Sequence, residues 1–411
     1  MNKLKQHKKI LLSLWFTGAL LFVWMKGVLP AWEDQRSDFS NYYTSAVLLT
    51  KGEPISKYYN NGWFNEKAAE VGLTEGAKFA PFPPITAYLY LPLTVFSALQ
   101  AKRVVLAVNL LLLVVLVFQL KNFTLYKYWE VGVLLSLFLT PIASNVRLGQ
   151  SYLLICSLIF VVLTAIKKNK NSVAGVVLGF LAVLKYFPIV YLIYAFPKVN
   201  KKLLWGLFIA VLACVFVPIF TNDMTVYSTF ANELFQHVNG DISGQGQFSF
   251  NFQSIDALLA NLFIYDAQWN TNVLVDFPLL KTALKTLFAA LISYSSVKMF
   301  LRSTEKTNLF SYGGIVIGAA LLIPASATYH LLLLLPAFIT VVFFLRKSGE
   351  FNQETFIVML FIILISNVMA HHIPNVSFSQ TINVIIHFPR LLGLMGLFIF
   401  LLSLQKRSIQ N

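Results

Sequence analysis

Residues 167–220 read KKNKNSVAGVVLGFLAVLKYFPIVYLIYAFPKVNKKLLWGLFIAVLACVFVPIF, and this stretch decides the architecture. Its last part, 203–220, is an unbroken apolar run of the kind that crosses hydrocarbon, which takes ~20 residues as helix and fewer where the bilayer thins. Its earlier part, 172–197, is equally apolar but is bounded by lysines on both sides: Lys167, Lys168 and Lys170 before it, Lys198, Lys201 and Lys202 after it. Such clusters collect on the cytoplasmic side, so both are expected on the same side and the chain between them must enter and return. Each half is about 12 residues, ~18 Å of helix, too short for a ~30 Å hydrocarbon core. The middle, Leu184-Lys185-Tyr186-Phe187-Pro188, is therefore expected to be the tip of a broken helical hairpin. Broken backbone at membrane depth is tolerated where it lines a cavity.

The rest of the chain repeats the apolar theme. Runs at 10–25, 104–120, 152–166, 203–220, 286–301, 308–323, 331–345, 354–370 and 391–404 carry almost no charge. Of the 411 residues 57% are apolar and 12% charged, and the mean hydropathy is +0.69; a soluble domain carries roughly 25% charged residues. The expected fold class is an all-α polytopic membrane protein with about ten to twelve membrane helices in a single domain over 1–411. The net charge of +15 does not indicate a nucleic-acid partner, because the bases sit in short clusters between apolar runs and not on one face. Cys156 and Cys214 both lie inside apolar runs, which argues against a disulfide framework or a metal site. The N-terminus, Lys3 to Lys9 followed by an apolar run to Pro30, reads as an uncleaved first span; Gly18-Ala19 is a weak match to a signal-peptide cleavage site.

Two long segments break the rhythm, 31–82 and 221–276, and together they hold 13 of the 17 acidic residues. No Lys or Arg occurs from 203 to 280. Both segments are expected as extracytoplasmic loops whose aromatic residues suit the membrane interface. From 203 onward the topology alternates without conflict: 203–220 out, 277–301 in, 308–323 out, 329–345 in, 354–370 out, 381–404 in. Arg302/Lys306, Arg346/Lys347 and Lys406/Arg407 then fall inside. In the first half, five full crossings at 10–30, 83–99, 104–120, 129–144 and 152–166 would put Lys167–Lys170 outside, so one segment is expected not to cross. The candidate is 83–99, which opens Pro81-Phe82-Pro83-Pro84 and contains Pro92. The expectation is a multi-pass protein of a bacterial cytoplasmic membrane with both termini cytoplasmic.

Within this frame a few residues can carry chemistry. Asp38, in Ser37-Asp38-Phe39-Ser40-Asn41-Tyr42-Tyr43, is a carboxylate among aromatics and a candidate base. The competing reading makes Ser37 or Asp38 the cap of a helix running to about Thr50. Lys185 in an apolar stretch costs several kcal/mol unless paired, and an anion such as a phosphate is its natural partner; snorkelling or a structural carboxylate is the alternative. Arg147, Gly149 and Gln150, in Asn145-Val146-Arg147-Leu148-Gly149-Gln150, also read as a helix end with a glycine cap. His330 follows Pro324-Ala325-Ser326-Ala327-Thr328-Tyr329 and can hydrogen-bond a sugar or phosphate, or serve structure. Arg390 is a further phosphate candidate in the last span. His371-His372 resembles a metal pair, but adjacent helical residues diverge and no third ligand is evident. No Walker sequence, dinucleotide loop or HExxH occurs.

Taken in order, Asp38-Phe39 with Tyr42-Tyr43, Lys51-Gly52-Glu53-Pro54, Tyr58-Tyr59, Phe82-Pro83-Pro84, Arg147-Leu148-Gly149-Gln150, Gly179 with Lys185-Tyr186-Phe187-Pro188, and His330 resemble glycosyltransferase family 87 of the GT-C superfamily. The resemblance covers about residues 1 to 345. That family includes polyprenyl-phosphomannose-dependent mannosyltransferases. The resemblance implies a GT-C membrane fold and an inverting transfer of a hexose from a polyprenyl-phosphate sugar to a lipid or glycan acceptor at the extracytoplasmic face. It makes Asp38 the catalytic base. It implies substrate-binding roles for Lys185, His330, Arg147, Gln150 and Tyr42; charge alone puts Lys185 on the donor phosphate, with Arg147 or Arg390 as further partners. The family's late motif is closer to Ser-Pro-x-x-Trp-x-His; here Thr328 or Tyr329 stands at the Trp position and Pro324 is one residue further away. A monophosphate lipid donor can leave with only cationic side chains, so no metal or other cofactor is expected. The rival classes are a transporter or flippase of lipid-linked glycans, a surface-polysaccharide polymerase or ligase, and a non-catalytic scaffold. The first predicts repeated halves, which are not seen. The second usually carries Arg and His in a large late outer loop, where this chain has short turns. The third leaves Lys185 unexplained.

Overall fold

A computed structural model of the chain describes residues 2–33, 38–73, 76–196, 200–222, 224–238, 246–304, 307–346, 352–374 and 380–410. Ser37, Lys198, Lys306 and Lys347 lie outside the described residues. The described residues form helices and no extended strand, which makes the chain an all-α polytopic membrane protein. The chain divides into two compact units, 1–236 and 237–411.

The first unit opens with α1 (Asn2–Val23), which runs through a π-helical turn at Trp24–Val28 into α2 (Leu29–Glu33); α3 (Phe39–Thr50) and α4 (Asn61–Glu70) follow. Next come α5 (Ile85–Leu89), a 3₁₀ turn at Leu91–Val95, α6 (Ala98–Thr124), α7 (Tyr128–Ser136), α8 (Leu139–Leu148) and α9 (Tyr152–Lys167). The unit closes with α10 (Asn171–Leu184), a 3₁₀ turn at Phe187–Tyr191, α11 (Leu192–Ala195), α12 (Lys201–Thr221) and most of α13 (Val226–Val238).

The hairpin inferred from the lysine clusters is present. α10 stops at Leu184, Lys185 is extended (φ −150°, ψ 116°), and the chain returns through short helical turns. α10 and α12 pack in parallel through small residues: Gly175 meets the Leu203 carbonyl, Gly179 the Leu207 carbonyl, and Gly206 the Ser172 carbonyl. Their lysine-flanked starts therefore lie at the same end, and Lys185 lies at the other. Small residues let membrane helices approach this closely. A Cβ on Gly175 would collide with the Leu203 carbonyl oxygen, and backbone cannot yield as a flexible side chain can. Gly175→Ala is expected to lower the thermal midpoint in detergent, with a loss of about 1–3 kcal/mol typical of overpacking.

The expected span at 129–144 is bent. α7 and α8 meet at 73°. Pro141 explains the break: it has no N–H for the residue 137 carbonyl and its ring would clash there, whereas in the first turn of a new helix it costs no bond. Residues 83–97 form one-turn pieces, too short to cross as helix. Segment 31–82 is largely helical, carrying α3 and α4. Its aromatic residues fold inward, with Phe39, Tyr42, Tyr58, Phe64 and Phe79 fully buried.

The second unit holds α14 (Ile255–Phe263), α15 (Pro278–Leu301), α16 (Asn308–Leu321) and a 3₁₀ turn at Thr328–Leu333. It continues with α17 (Leu335–Leu345), α18 (Gln353–Asn367), α19 (Gln380–Ile386) and α20 (Pro389–Gln410). Segment 221–276 thus also contains helices. At its end the buried Asp256 carboxylate is paired with Lys281 (3.2 Å) and Lys285 (2.8 Å), one turn apart on α15. That pairing allows two lysines near the start of a membrane helix.

Among the described residues, five helices are long and apolar enough to cross a membrane, Lys9–Glu33, Ala98–Thr124, Lys201–Thr221, Pro278–Leu301 and Pro389–Lys406, and the bent α7–α8 pair makes a sixth. Five shorter apolar helices, of 10–17 residues, bring the total into the expected range only when they are counted. The long helices carry exposed apolar stripes: Leu111, Val114 and Phe118 on α6, Trp205, Ile209, Phe216 and Phe220 on α12, Leu287, Leu291 and Tyr294 on α15. Lipid is the solvent that such stripes fit.

Candidate active site

The first unit brings Asp38, Tyr42, Gln150 and Lys185 together around the start of α3. Asp38 stands at the N-cap position of α3, yet its side chain makes no capping bond. One carboxylate oxygen, Oδ2, instead accepts from Gln150 Nε2 at 2.6 Å. Of the two readings of Asp38, the cap is not the one its side chain serves.

Gln150 reaches Asp38 because of Gly149. Gly149 caps α8 in the left-handed region (φ +65°), where glycine carries no Cβ penalty. A Cβ there would also lie 2.8 Å from the Phe39 Cβ. The turn between α8 and α9 can therefore press against the first residue of α3 and deliver the next side chain to the carboxylate.

The Gln150 amide has one sensible orientation. Tyr42 donates its hydroxyl to Gln150 Oε1 at 2.5 Å. A flipped amide would aim Oε1 at a carboxylate. Gln150 is buried at 2% exposure and Tyr42 is fully buried, so the amide N–H is held on Asp38 by groups that cannot turn away.

Two asparagines hold the turn itself. Asn109, the one polar residue between Arg103 and Gln119 on α6, donates to the Gln150 carbonyl (3.3 Å) and accepts from Asn145 Nδ2 (2.9 Å). Asn145 Oδ1 accepts from the Tyr152 backbone N–H at 3.0 Å, and the Gln150 N–H returns to the Asn145 carbonyl at 3.0 Å. Buried polar groups whose bonds are all met fix a single geometry. The sequence did signal Asn109, since a polar residue inside a span is functional by default, but the apolar run around it was read only as a span. Asn109→Leu would orphan the Asn145 amide and free the turn. It is expected to lower turnover about tenfold, since a buried group left unpaired costs about 1–3 kcal/mol, and to leave donor affinity unchanged in a kcat-against-KM comparison.

Lys185 completes the cluster. Its Nζ lies 4.0 Å from the centroid of Phe82 and 5.5 Å from that of Tyr152. Phe82 packs on Tyr42 (5.0 Å), and Tyr42 stacks on Tyr90 (4.6 Å, 5° between planes). Tyr59 pins the platform by donating its hydroxyl to the Phe82 carbonyl at 2.8 Å. Asp38 lies within Coulombic range of the ammonium. Among the described residues, however, no carboxylate oxygen comes within 4.0 Å of Lys185 Nζ. A half-buried cation that meets only ring faces keeps its donors available for an anion.

Asp38 thus has one oxygen held by Gln150 and another, Oδ1, with no hydrogen-bond partner among the described residues. The pair can accept a proton at Oδ1 and balance negative charge at Nζ. Arg147 is exposed in the last turn of α8. No group of three or more His, Cys, Asp or Glu gathers among the described residues.

His330 and Arg390 belong to the second unit. His330 is half-buried, and its Nδ1 accepts from the Ala327 N–H at 3.1 Å. Arg390 is 3% exposed; Nε donates to the Val368 carbonyl at 3.2 Å and the guanidinium also contacts Met369 Sδ. Arg390 therefore braces the 368–369 backbone in this structure.

Curated proteins and solved structures give no match to the chain. The model of glycosyltransferase family 87 matches residues 79–324, more than half of the sequence. The matched range carries Phe82, Asn109, the Asn145–Gln150 turn and Lys185; Asp38 and His330 flank it. The chain belongs to glycosyltransferase family 87 and is a membrane-embedded glycosyltransferase.

Proposed function

We propose that the enzyme takes a hexose from a polyprenyl-phosphate donor at the extracytoplasmic face and transfers it, with inversion, to a lipid or glycan acceptor. The observation that carries this reading is a carboxylate with one open oxygen in the same cluster as a cation that rests on aromatic rings and has no carboxylate partner among the described residues. The acceptor hydroxyl gives its proton to Asp38 Oδ1 as its oxygen attacks the anomeric carbon. The bond from that carbon to the phosphate oxygen breaks, its electron pair leaves with the phosphate, and polyprenyl phosphate departs. Lys185 balances the charge that grows on the leaving oxygen. Gln150 and Tyr42 hold the base in line.

The donor class follows from the charge available. The cluster offers one ammonium to the leaving group, which suits a monophosphate better than a nucleoside diphosphate. The face follows from the hairpin. Lys185 is a helix length away from the lysine-rich ends of α10 and α12, which the positive-inside rule puts in the cytoplasm. Both termini are then cytoplasmic, in a bacterial cytoplasmic membrane. His330, Arg147 and Arg390 enter this reading from the sequence pattern, as further substrate contacts, and the sugar most in keeping with the family is mannose.

The stereochemical outcome and the inhibitor profile test the reading together. Polyprenyl monophosphate is expected to compete with the donor, and a β-linked donor is expected to give an α-linked product by NMR. Retention of configuration would overturn the direct attack assigned to the acceptor hydroxyl.

A further inference from the structure

The second unit contains a crevice of about 540 Å³ that the chemistry above does not use. Its walls are Phe248, Ser249, Phe250 and Asn251 on one side, Ala370, His371 and Ile373 on the other, with His387 between them. Its volume is that of a small-molecule site, which runs from about 300 to 1,000 Å³.

The walls are built. Gln253, 3% exposed, donates from Nε2 to the Phe250 carbonyl and the His387 carbonyl, both at 2.8 Å. Its Oε1 accepts from the Arg390 N–H at 3.2 Å, and its own N–H donates to the Ser326 carbonyl at 3.1 Å. Arg390 in turn grips the Val368 carbonyl, just ahead of the second wall. The His387 ring lies between two backbone carbonyls, Asn383 at 2.7 Å from Nδ1 and Ile373 at 3.2 Å from Nε2, one of which accepts its N–H, and Phe250 packs on the ring at 5.0 Å. One buried amide and one buried guanidinium thus set the spacing of both walls. They also tie them to the 324–330 turn that carries His330.

The lining says what fits. Among the described residues, no Lys, Arg, Asp or Glu lines the crevice. It presents aromatic rings beside hydrogen-bonding groups. The Asn251 side chain is exposed and has no partner among the described residues, and His371 is exposed at the rim. A pyranose has this pattern in reverse, an apolar C–H face edged by hydroxyls. We propose that this crevice holds a neutral glycosyl unit of the acceptor, with the rings under its C–H face and Asn251 and His371 on its hydroxyls. This rests on the transferase reading for its role as acceptor site, but not for its binding.

Two measurements on the full chain in nanodiscs test it. Saturation-transfer NMR with a panel of methyl hexopyranosides is expected to show binding to the wild type and to Asp38→Asn. Binding is expected to weaken about tenfold in the Asn251→Ala/His371→Ala double variant, the loss of two or so neutral hydrogen bonds. Asn251→Trp, which fills the mouth, is expected to do the same at an unchanged thermal midpoint. In turnover, these variants are expected to raise the acceptor KM about tenfold and leave hydrolysis of the donor by water unchanged. Glycoside binding that is absent from the wild type, or undiminished in both sets of crevice variants, overturns the proposal. Glycoside binding lost in the variants while no lipid-linked sugar turns over supports the crevice and counts against the transferase reading instead.

Discussion

Asp38→Asn is expected to abolish measurable sugar transfer while the protein inserts, purifies and unfolds as the wild type does. The asparagine keeps the size of the side chain, and its carbonyl oxygen still accepts from Gln150 Nε2. What it loses is the second oxygen that takes the proton. Removing a general base costs about 10²–10⁴-fold in rate. The helix will not register the change, because the Asp38 side chain makes no capping bond on α3. Donor binding is expected to be retained, so the loss falls on kcat. Steady-state transfer and donor binding, measured on one preparation, check this. Full activity in Asp38→Asn would remove Asp38 as the base.

Lys185→Met is expected to lower transfer by about 10²–10³-fold, the loss seen when a group stabilising transition-state charge is removed. Stability is expected to move the other way or not at all. Lys185 Nζ rests on Phe82 and Tyr152 and has no carboxylate partner within ion-pair distance among the described residues. A methionine of similar length lays its sulfur on the same rings favourably and carries no charge to desolvate. A lysine that served structure would give the opposite result, lower stability with activity in proportion. Lys185→Arg keeps the charge but not the compact ammonium, and is expected to recover part of the activity. Because the loss includes ground-state contact with the phosphate, donor KM rises as kcat falls, which separates this variant from Asp38→Asn.

The hairpin was legible because two lysine clusters had to lie on one side of an apolar stretch too short to cross twice. Charge and length alone place the turn, and α10, Lys185 and α12 lie accordingly. The long spans were legible for the same reason. The bend between α7 and α8 was not, although Pro141 carried its cause; hydropathy is blind to where a helix loses one hydrogen bond. Segment 31–82 was read as an interfacial loop because its aromatic residues suit an interface equally well. Composition does not say whether a tyrosine faces lipid headgroups or, as Tyr42 and Tyr58 do, a core. In the site, Asp38 and Lys185 stood out as charges in apolar surroundings. Gln150 had a weaker signal, and Asn109 was passed over, because their importance lies in which atom each one meets. Arg390 was legible as a charge in an apolar run, but its bonds to the Val368 carbonyl and to Met369 were not.

The donor is the point on which the account turns. The purified chain, reconstituted in liposomes, can be offered labelled polyprenyl-phosphate hexoses and labelled nucleotide sugars in parallel, with a membrane lipid extract as acceptor. The account predicts transfer from a polyprenyl-phosphate sugar with release of an equal amount of polyprenyl monophosphate, no transfer from any nucleotide sugar, and loss of both products in Asp38→Asn. Transfer from nucleotide sugars alone would contradict it.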